Sequence, residues 1–267
     1  METKEKKKNV LMLIATLVIA GLIVVAAVVF FMGEELAERR ILSEEEEMVF
    51  LDVRNEKEYR TVKIGEQEWF AENLKIGTEG LDSLILIEEK AKWEEAGNED
   101  IPAYSVYGNK EENGDTYGYL YNWHAINLPE LCPEGWSVPT DEDWHLLERQ
   151  LKKEESSCNM QRKGSLACSP AGAKMKIKDI EGTDDWNSEN FNCDGGEDYE
   201  CSGFNALPGG SRYTSGTFFA FGFQSYFWSS TQEEESAFYR NLREKDAGVL
   251  RNKSPKGLGM SVRCIKK

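Results

Sequence analysis

The sequence predicts an α+β domain of short antiparallel strands and a few helices, attached to one N-terminal transmembrane helix. Three features predict this class. Residues 10–32 are almost entirely apolar. From residue 48 onward, apolar and polar residues alternate in short runs separated by turn residues, which is typical of antiparallel strands. Residues 140–151 combine a helix-capping residue with an apolar stripe, which predicts an amphipathic helix.

The apolar stretch at residues 10–32 is long enough to cross a membrane. Its 23 positions are interrupted only by Thr16 and Gly21, and at about 1.5 Å of rise per residue they span a hydrocarbon core of roughly 30 Å. Lysines precede the stretch and glutamates follow it, at Lys4, Lys6, Lys7, Lys8, Glu34, Glu35 and Glu38. The positive-inside rule therefore predicts a cytoplasmic N-terminus and an exported C-terminal part, in the periplasm or at the cell surface.

The alternatives to this signal anchor are a cleaved signal peptide and a type IV pilin. A signal peptide has an apolar core of roughly 7 to 15 residues that ends in small residues. The stretch in this chain is longer and ends in Phe30, Phe31 and Met32. The Gly-Phe-Thr-Leu-x-Glu start of pilins is absent from the sequence. A retained membrane anchor is therefore favoured.

Charge is distributed unevenly along the chain. The formal net charge is −16, and because residues 1–33 carry +2, residues 34–267 carry −18. Such an acidic chain is not expected to bind nucleic acid, since phosphate contacts need a basic surface. The predicted organisation is a cytoplasmic tail, a transmembrane helix, an acidic stalk and one domain, at residues 1–9, 10–32, 33–47 and 48–267.

The domain is predicted to open with a hairpin and to end in short strands. Residues 81–96 have helical propensity but lack a clear cap, and residues 117–127 predict a short helix. Residues 203–264 are rich in glycine and aromatic residues, which predicts tightly turned antiparallel strands. The opening strands are predicted at residues 48–53, 59–65 and 67–74.

The best-defined element is the helix that follows Thr140. Thr140 is a natural N-cap, and Asp143 stands at the third helical position, where its carboxylate can bond back to the cap. Trp144, Leu147 and Leu151 then fall on one face of the helix. We expect this face to be buried in the core.

Six cysteines lie beyond residue 130, and none forms a Cys-x-x-Cys pair. An even number without short paired spacings favours disulfide bonds in an oxidising compartment over zinc or thiol redox chemistry. The alternative is a set of free buried thiols. Six cysteines allow 15 pairings, and their spacing alone leaves all of them open.

Seven segments of the chain carry a family resemblance. They follow one another in the same order as in the family, between residues 48 and 267. Together they closely resemble the Fibrobacter succinogenes major paralogous domain. The segments are YRTVKIGEQEWFAENLK (59–75), YGYLYNW (117–123), CPEGWSVPTDEDWHLLE (132–148), GFNALPGGSR (203–212), YFWSST (226–231), FYRNL (238–242) and GMSVRC (259–264).

The resemblance implies a C-type-lectin-like domain with two main helices and short antiparallel strands. This fold is akin to that of the formylglycine-generating enzyme and occurs in bacterial surface or secreted proteins that are suspected of binding or adhesion. Lectin-like folds join the chain's middle to its end, which implies a Cys132–Cys264 bridge. The other cysteines depart from the family and are interpreted as local staples, Cys158 with Cys168 and Cys193 with Cys201. A second departure is the segment at residues 81–101, which we call the excursion. Family members vary there, so the resemblance implies no functional role for it.

The expected function is that of a membrane-anchored, extracytoplasmic binding or adhesion module whose ligand is a glycan or a protein. Trp136, Trp144 and Trp228 are assigned to the core. Aromatic residues in the glycine-flanked loop after Arg212 are better candidates for an exposed rim. The candidate ligand-binding residues are Arg212, Tyr213, Phe218, Phe219 and Phe221.

No cofactor is required by the sequence, but calcium is a candidate. Acidic and amide side chains cluster in a loop that a Cys193–Cys201 bridge would tighten, and such hard oxygen ligands suit Ca²⁺. The alternative is a solvated acidic loop, because the proline-containing motifs of lectin sugar sites and the EF-hand spacing are both absent. The candidate ligands are Asp184, Asp185, Asn192, Asp194, Glu197 and Asp198.

Catalysis is not expected. An enzyme of the formylglycine-generating type needs two reactive thiols close together in the terminal region, where only Cys264 is present. His124 and His145 have no neighbouring nucleophile motif, and the segment around Ser211 lacks the G-x-S-x-G spacing. That enzyme is the weakest alternative, and a self-assembling envelope or pilus-like subunit is the stronger one.

Overall fold

The alternating segments fold into 14 short strands in the computed structural model, which describes residues 48–154, 156–177, 186, 193 and 200–267. Residues 49–267 form one compact unit. Most strands have two to four residues, because turn residues follow closely on each apolar run. The strands are joined into sheets of five, four, three and two strands.

The five-stranded sheet joins the beginning of the domain to its end. The predicted opening hairpin is present as β1 to β3, and the last strand, β14, pairs antiparallel with both β3 and β7. The order is β1-β2-β3-β14-β7. The bounds are Val49–Asp52 (β1), Lys57–Ile64 (β2), Gln67–Phe70 (β3), Trp136–Ser137 (β7) and Ile265–Lys266 (β14).

The four-stranded sheet contains the longest strands. Its order is β11-β12-β13-β8, and all neighbours are antiparallel. Its strands are Ser165–Ala167 (β8), Gln224–Glu233 (β11), Ser236–Arg243 (β12) and Val249–Pro255 (β13). The two smaller sheets contain Ile85–Leu86 (β4), Ala103–Ser105 (β5) and Leu120–Tyr121 (β6), and Ser211–Arg212 (β9) with Phe218–Phe219 (β10).

The helices are few and short, so the predicted fold class with two main helices is wrong. The longest described helix has 11 residues, and more of the described residues lie in β-strands than in helices. The described helices are Lys90–Asn98 (α1), Glu111–Tyr117 (α2), Trp123–Ile126 (α3), Asp141–Leu151 (α4) and Ala171–Met175 (α5), with a 3₁₀ helix at Tyr107–Asn109.

The helix predicted at residues 117–127 is interrupted for identifiable reasons. Gly118 adopts a φ of 75°, which ends α2. Leu120 and Tyr121 then pair with β5 as strand β6. Asn122 begins a new helix, since its side chain accepts a hydrogen bond from the amide of Ala125, but that helix lasts four residues. Pairing with a distant strand therefore outweighed local helical propensity.

No helix within residues 48–154, 156–177 or 200–267 is both long enough and apolar enough to cross a bilayer. The predicted transmembrane helix at residues 10–32 lies outside the described residues.

Helix α4 begins with the predicted reciprocal cap. The Thr140 hydroxyl accepts a hydrogen bond from the Asp143 amide at 3.1 Å, and the Asp143 carboxylate accepts one from the Thr140 amide at 2.8 Å. Trp144, Leu147 and Leu151 are buried, as predicted. The Trp144 ring lies 5.0 Å from that of Trp69, so the helix packs onto the five-stranded sheet.

A network of five buried charged side chains fixes α4 to the four-stranded sheet. We call Asp141, Glu148, Arg162, Arg240 and Arg251 the buried ion network. Arg240 from β12 and Arg251 from β13 each approach Asp141 at 2.7 Å. Glu148 accepts from Arg240 and, at 2.6 Å, from Arg162. Burial alone would raise the pKa of Asp141, but hydrogen bonds and charge from Arg251 and Arg240 lower it below its usual value.

All six cysteines are joined in bridges. The pairs are Cys132–Cys264, Cys158–Cys168 and Cys193–Cys201, which are the pairs given in the sequence analysis. The first closes a loop of 132 residues and links the segment before β7 to the residue that precedes β14. Long loops lose the most chain entropy on closure, so this bridge constrains the unfolded chain most.

Replacing Glu148 by Gln should destabilise the fold strongly. Arg240 and Arg162 would keep their buried charge without its carboxylate partner, and such a loss costs about 3–5 kcal/mol. Urea unfolding followed by circular dichroism measures the change. The matched control is Glu142→Gln on the same helix, where the side chain is exposed and the expected cost is below about 1 kcal/mol. Equal stabilities of the two variants would contradict the role assigned to the network.

Candidate functional site

The two faces of the β11–β12 ladder have different roles. Gln224 pairs with Arg243, and Tyr226 pairs with Asn241. Side chains of alternate residues point to opposite faces of a sheet. These four residues therefore share one face, while Phe227 and Leu242 lie on the other face within a core cluster that includes Trp144.

Four aromatic rings form a continuous line across the first of these faces. Tyr213 stacks on Phe219 with centroids 3.8 Å apart and planes at 13°. Phe219 contacts Tyr226 at 5.5 Å, and Tyr226 contacts Tyr239 at 6.0 Å. We call these residues the aromatic row. Tyr213 is 47% exposed and Tyr239 only 8%, so the row runs from solvent towards the interior.

Polar side chains lie beside the row. The Tyr226 hydroxyl donates to the Gln224 side-chain oxygen at 2.7 Å, and the Asn241 amide donates to the same oxygen at 3.1 Å. The Arg243 guanidinium donates to the Asn241 oxygen at 2.9 Å. We call Gln224, Asn241 and Arg243 the polar ladder. Its members hold each other in place, and Arg243 is itself exposed.

The hydroxyl of Tyr226 remains protonated at physiological pH. Burial raises the pKa of Tyr226 to about 12, with a smaller increase from Tyr239, a decrease from Arg243 and an increase from Tyr213. A neutral phenol both donates and accepts hydrogen bonds. The site therefore offers neutral hydroxyl groups, the Gln224 amide and one exposed cation, Arg243, while the Asn241 amide is buried beneath them.

The turn between β9 and β10 brings the outermost two rings together. The Tyr213 amide donates to Thr217 at 2.8 Å, and the Gly216 amide donates to Tyr213 at 2.9 Å. Gly216 has a φ of 78°, and a Cβ at this position would lie 2.5 Å from Cα of Lys90. Only glycine fits there, so this turn geometry depends on Gly216.

The structure separates the four aromatic residues among the five predicted ligand-binding residues into two groups. Tyr213 and Phe219 belong to the aromatic row. Phe218 and Phe221 instead contact Tyr107, with centroids at 5.0 Å and 4.6 Å. Both rings are half-buried and pack against Tyr107 rather than joining the aromatic row.

Arg212 lies in the interior rather than at a rim. Its guanidinium donates to main-chain carbonyls of Ile87, Glu88 and Gly216, and it lies 4.5 Å from the ring centroid of Trp93. Burial lowers the pKa of Arg212 to about 10, against the smaller raising effect of Glu88. These bonds occupy Arg212 in the fold, so we do not assign it to ligand binding.

The excursion at residues 81–101 supports the site. It contains α1, and Trp93 on this helix is fully buried, donates to the Gly257 carbonyl at 3.0 Å and stacks against Arg212. The segment is therefore part of the packed structure beneath β9.

The sequence did not predict a role at the site for Gln224, Tyr226, Asn241 or Arg243. Alternation within β11 and β12 could have placed each pair on one face of its own strand. The register between the two strands was still needed to bring the pairs together, and no local pattern provides it.

The described residues contain one cluster with the composition of a metal site. Ligand atoms of His145, Glu148 and Cys158 lie within 4.8 Å of one another. The cluster does not suit a metal ion, because the Cys158 sulfur is bonded to Cys168 and Glu148 accepts from two arginines. The six candidate calcium ligands, Asp184, Asp185, Asn192, Asp194, Glu197 and Asp198, lie outside the described residues.

Comparison with known proteins identifies a family. The model described as the Fibrobacter succinogenes major domain matches residues 62–266. The match covers the aromatic row, the polar ladder and the buried ion network. No curated protein and no solved structure matches the chain.

The two groups of aromatic residues should respond differently to truncation. Tyr213→Ala removes a largely exposed ring and should cost about 1 kcal/mol or less, the value of one aromatic pair. Phe221→Ala removes a ring packed between Tyr107 and Tyr117, so we expect a loss of about 2 kcal/mol or more. Urea unfolding of both variants measures the difference. A larger loss for Tyr213→Ala would show that Tyr213 is a structural residue.

Proposed function

This chain belongs to the Fibrobacter succinogenes major domain family, and we propose that it is a binding module that recognises a glycan through the aromatic row and the polar ladder. The observation that carries the proposal is the stack of Tyr213 on Phe219 at 3.8 Å on the same side of the domain as the half-buried Gln224 amide and the exposed Arg243. The domain acts by recognition, and its site is a surface supported by a rigid sheet.

The aromatic row and the polar side chains beside it suit the apolar face and the polar edge of a sugar ring. One face of a pyranose ring presents C–H groups, which pack against a flat aromatic ring and remove apolar surface from water. The hydroxyl groups at the ring edge need both donors and acceptors. Gln224, Tyr226 and the Arg243 guanidinium supply them, while Asn241 is fully buried and holds Gln224 and Arg243 in place.

Rigidity favours affinity at such a site. Each polar side chain of the ladder is already hydrogen-bonded to a neighbour, and the outer ring of the row is stacked on the next. These side chains then lose less conformational entropy when a ligand binds. A smaller part of the interaction free energy is therefore offset by the cost of ordering them.

We further propose that the domain lies outside the cytoplasm. Three disulfide bonds persist in oxidising compartments and are rare in the cytosol. The apolar sequence at residues 10–32, with lysines before it and glutamates after it, supports a single-pass anchor with a cytoplasmic N-terminus.

The glycan proposal predicts that Tyr213→Ala and Phe219→Ala each weaken binding about tenfold, which corresponds to about 1.4 kcal/mol for one lost stacking contact. The measurement is an array of bacterial and host glycans probed with the purified full chain, followed by titration of the strongest ligand. Leu146→Ala is the matched control, because it removes an exposed apolar side chain from α4 and should leave binding unchanged.

Two results would contradict this assignment. Unchanged glycan affinity in both aromatic variants would place recognition elsewhere on the chain. A wild-type chain that binds no glycan and elutes as a defined oligomer would instead support the self-assembling envelope subunit.

The proposed location predicts that the chain stays with the membrane fraction after washing with alkaline carbonate. Protease added outside spheroplasts should digest the domain while a cytoplasmic marker protein stays intact. A variant that lacks residues 10–32 is the control and should be released in soluble form. Protection of the wild-type domain from external protease would rule out the proposed orientation.

A further inference from the structure

Arg243 differs from the other described arginines, because its guanidinium is held in place although no described carboxylate pairs with it. Five of the others pair with carboxylates, and two donate to main-chain carbonyls. The first group is Arg54, Arg60, Arg162, Arg240 and Arg251, and the second is Arg212 and Arg263. Arg149 on α4 is also exposed, but no hydrogen bond to a described residue holds its guanidinium.

A buried side chain sets the position of the Arg243 guanidinium. Its Nε atom donates to the side-chain oxygen of Asn241 at 2.9 Å. Asn241 is fully buried, and its own amide donates to the Ser225 carbonyl at 3.0 Å and to the Gln224 side chain at 3.1 Å. Arg243 itself is exposed, and its two terminal nitrogens have no partner within the described part of the chain. A ligand in solution can therefore reach two donors on a guanidinium that is already oriented.

Arg243 lies beside the aromatic row. It is paired across the β11–β12 ladder with Gln224, which accepts the hydrogen bond from the Tyr226 hydroxyl. Residues directly opposite each other in an antiparallel pair have Cβ atoms about 4.5–5.5 Å apart. Burial raises the pKa of Tyr226 and of Tyr239, and Arg243 is the charged residue that lowers the pKa of both. The row and the guanidinium are therefore close enough to contact one ligand.

This cation stands in a strongly acidic chain. Residues 34–267 carry a formal net charge of −18, yet Arg243 forms no ion pair with a carboxylate of the described residues. A ligand carboxylate would therefore bind Arg243 without displacing a carboxylate of the protein. An uncharged ligand would offer the same donors weaker acceptors, because hydrogen bonds between two charged groups are the stronger ones.

We propose that the glycan bound at the aromatic row is acidic, and that its carboxylate is bound by the two terminal nitrogens of Arg243. This inference rests on the proposed glycan site and names the class of sugar that the site takes. A planar carboxylate accepts two parallel hydrogen bonds from a guanidinium, which an ammonium group does not offer. Uronic acids and sialic acids combine an apolar ring face for the aromatic row with a carboxylate at the ring edge for Arg243.

The test compares glycans that differ only in their carboxylates. Tri-galacturonate, a hyaluronan tetrasaccharide and sialyllactose are each titrated into the full chain, purified in detergent, beside the methyl ester of the same glycan. The ester keeps the sugar and loses the negative charge. We expect at least one acid to bind about tenfold more tightly than its ester, because a hydrogen bond to a charged group is the stronger one. Added NaCl should reduce this difference, since salt screens exposed charges.

Two variants and a matched control locate the carboxylate. Arg243→Gln should abolish the preference, so that binding of the acid weakens about tenfold more than binding of its ester. Arg243→Lys keeps the charge but lacks the two-pronged guanidinium, and its preference should lie between those of the wild type and Arg243→Gln. Arg149→Gln makes the same change of charge at the other exposed arginine without an ion pair among the described residues. It should alter the preference less than about twofold.

The outcomes separate this inference from the glycan proposal on which it rests. Equal affinities for acids and esters, with binding still weakened by Tyr213→Ala, would overturn the acidic-sugar assignment and leave the glycan site in place. A preference for acids that Arg149→Gln removes as fully as Arg243→Gln would show attraction by general surface charge and would also overturn the assignment. If no acid, no ester and no neutral glycan binds, the assignment and the glycan proposal are both wrong.

Discussion

The carboxylates of Asp141 and Glu148 organise the structure, because they join segments that are far apart in the chain. Arg240 and Arg251 are 99 and 110 residues away from Asp141 in sequence, and they reach it from neighbouring strands. Helix α4 is thereby fixed to the four-stranded sheet by charge as well as by the packing of Trp144 against Phe227. Buried ion pairs of this kind require accurate geometry, so they restrict the register and orientation of the elements that they join.

This constraint extends to the proposed glycan site through strand β12. Arg240 and Asn241 are neighbours on that strand, and the pleat directs them to opposite faces. Fixing Arg240 against α4 therefore also fixes Asn241, which holds Gln224 and, through it, Tyr226. The buried ion network therefore helps to determine where the side chains of the polar ladder lie. This relationship explains how the sheet can fix the side chains of the proposed glycan site without a large helical scaffold.

Local sequence patterns predicted the parts of the fold that depend on nearby residues. The Thr140 cap, the buried face of α4 and the opening hairpin are each set by residues within one element or one turn. The number of helices was not predictable in this way. Tyr121 has no local reason to form a strand, and it does so because β5 and Met260 offer hydrogen bonds. The candidate site was predicted in part, through Tyr213 and Phe219, and the rest of it depends on strand register.

The burial of Arg212, which was predicted to lie at an exposed rim, reflects a general requirement of this fold. Long connections between short strands leave many main-chain carbonyls without a partner in a sheet, and buried carbonyls need donors. Arg212 donates to three of them, and Arg263 similarly donates to the carbonyls of Phe70, Phe204 and Asn205. Aromatic rings of Trp93 and Phe204 cover the two guanidinium groups. An arginine in a glycine-rich connection of such a domain is therefore as well suited to holding loops together as to binding a ligand. The exposed Arg243 is the arginine that the structure leaves at the proposed site.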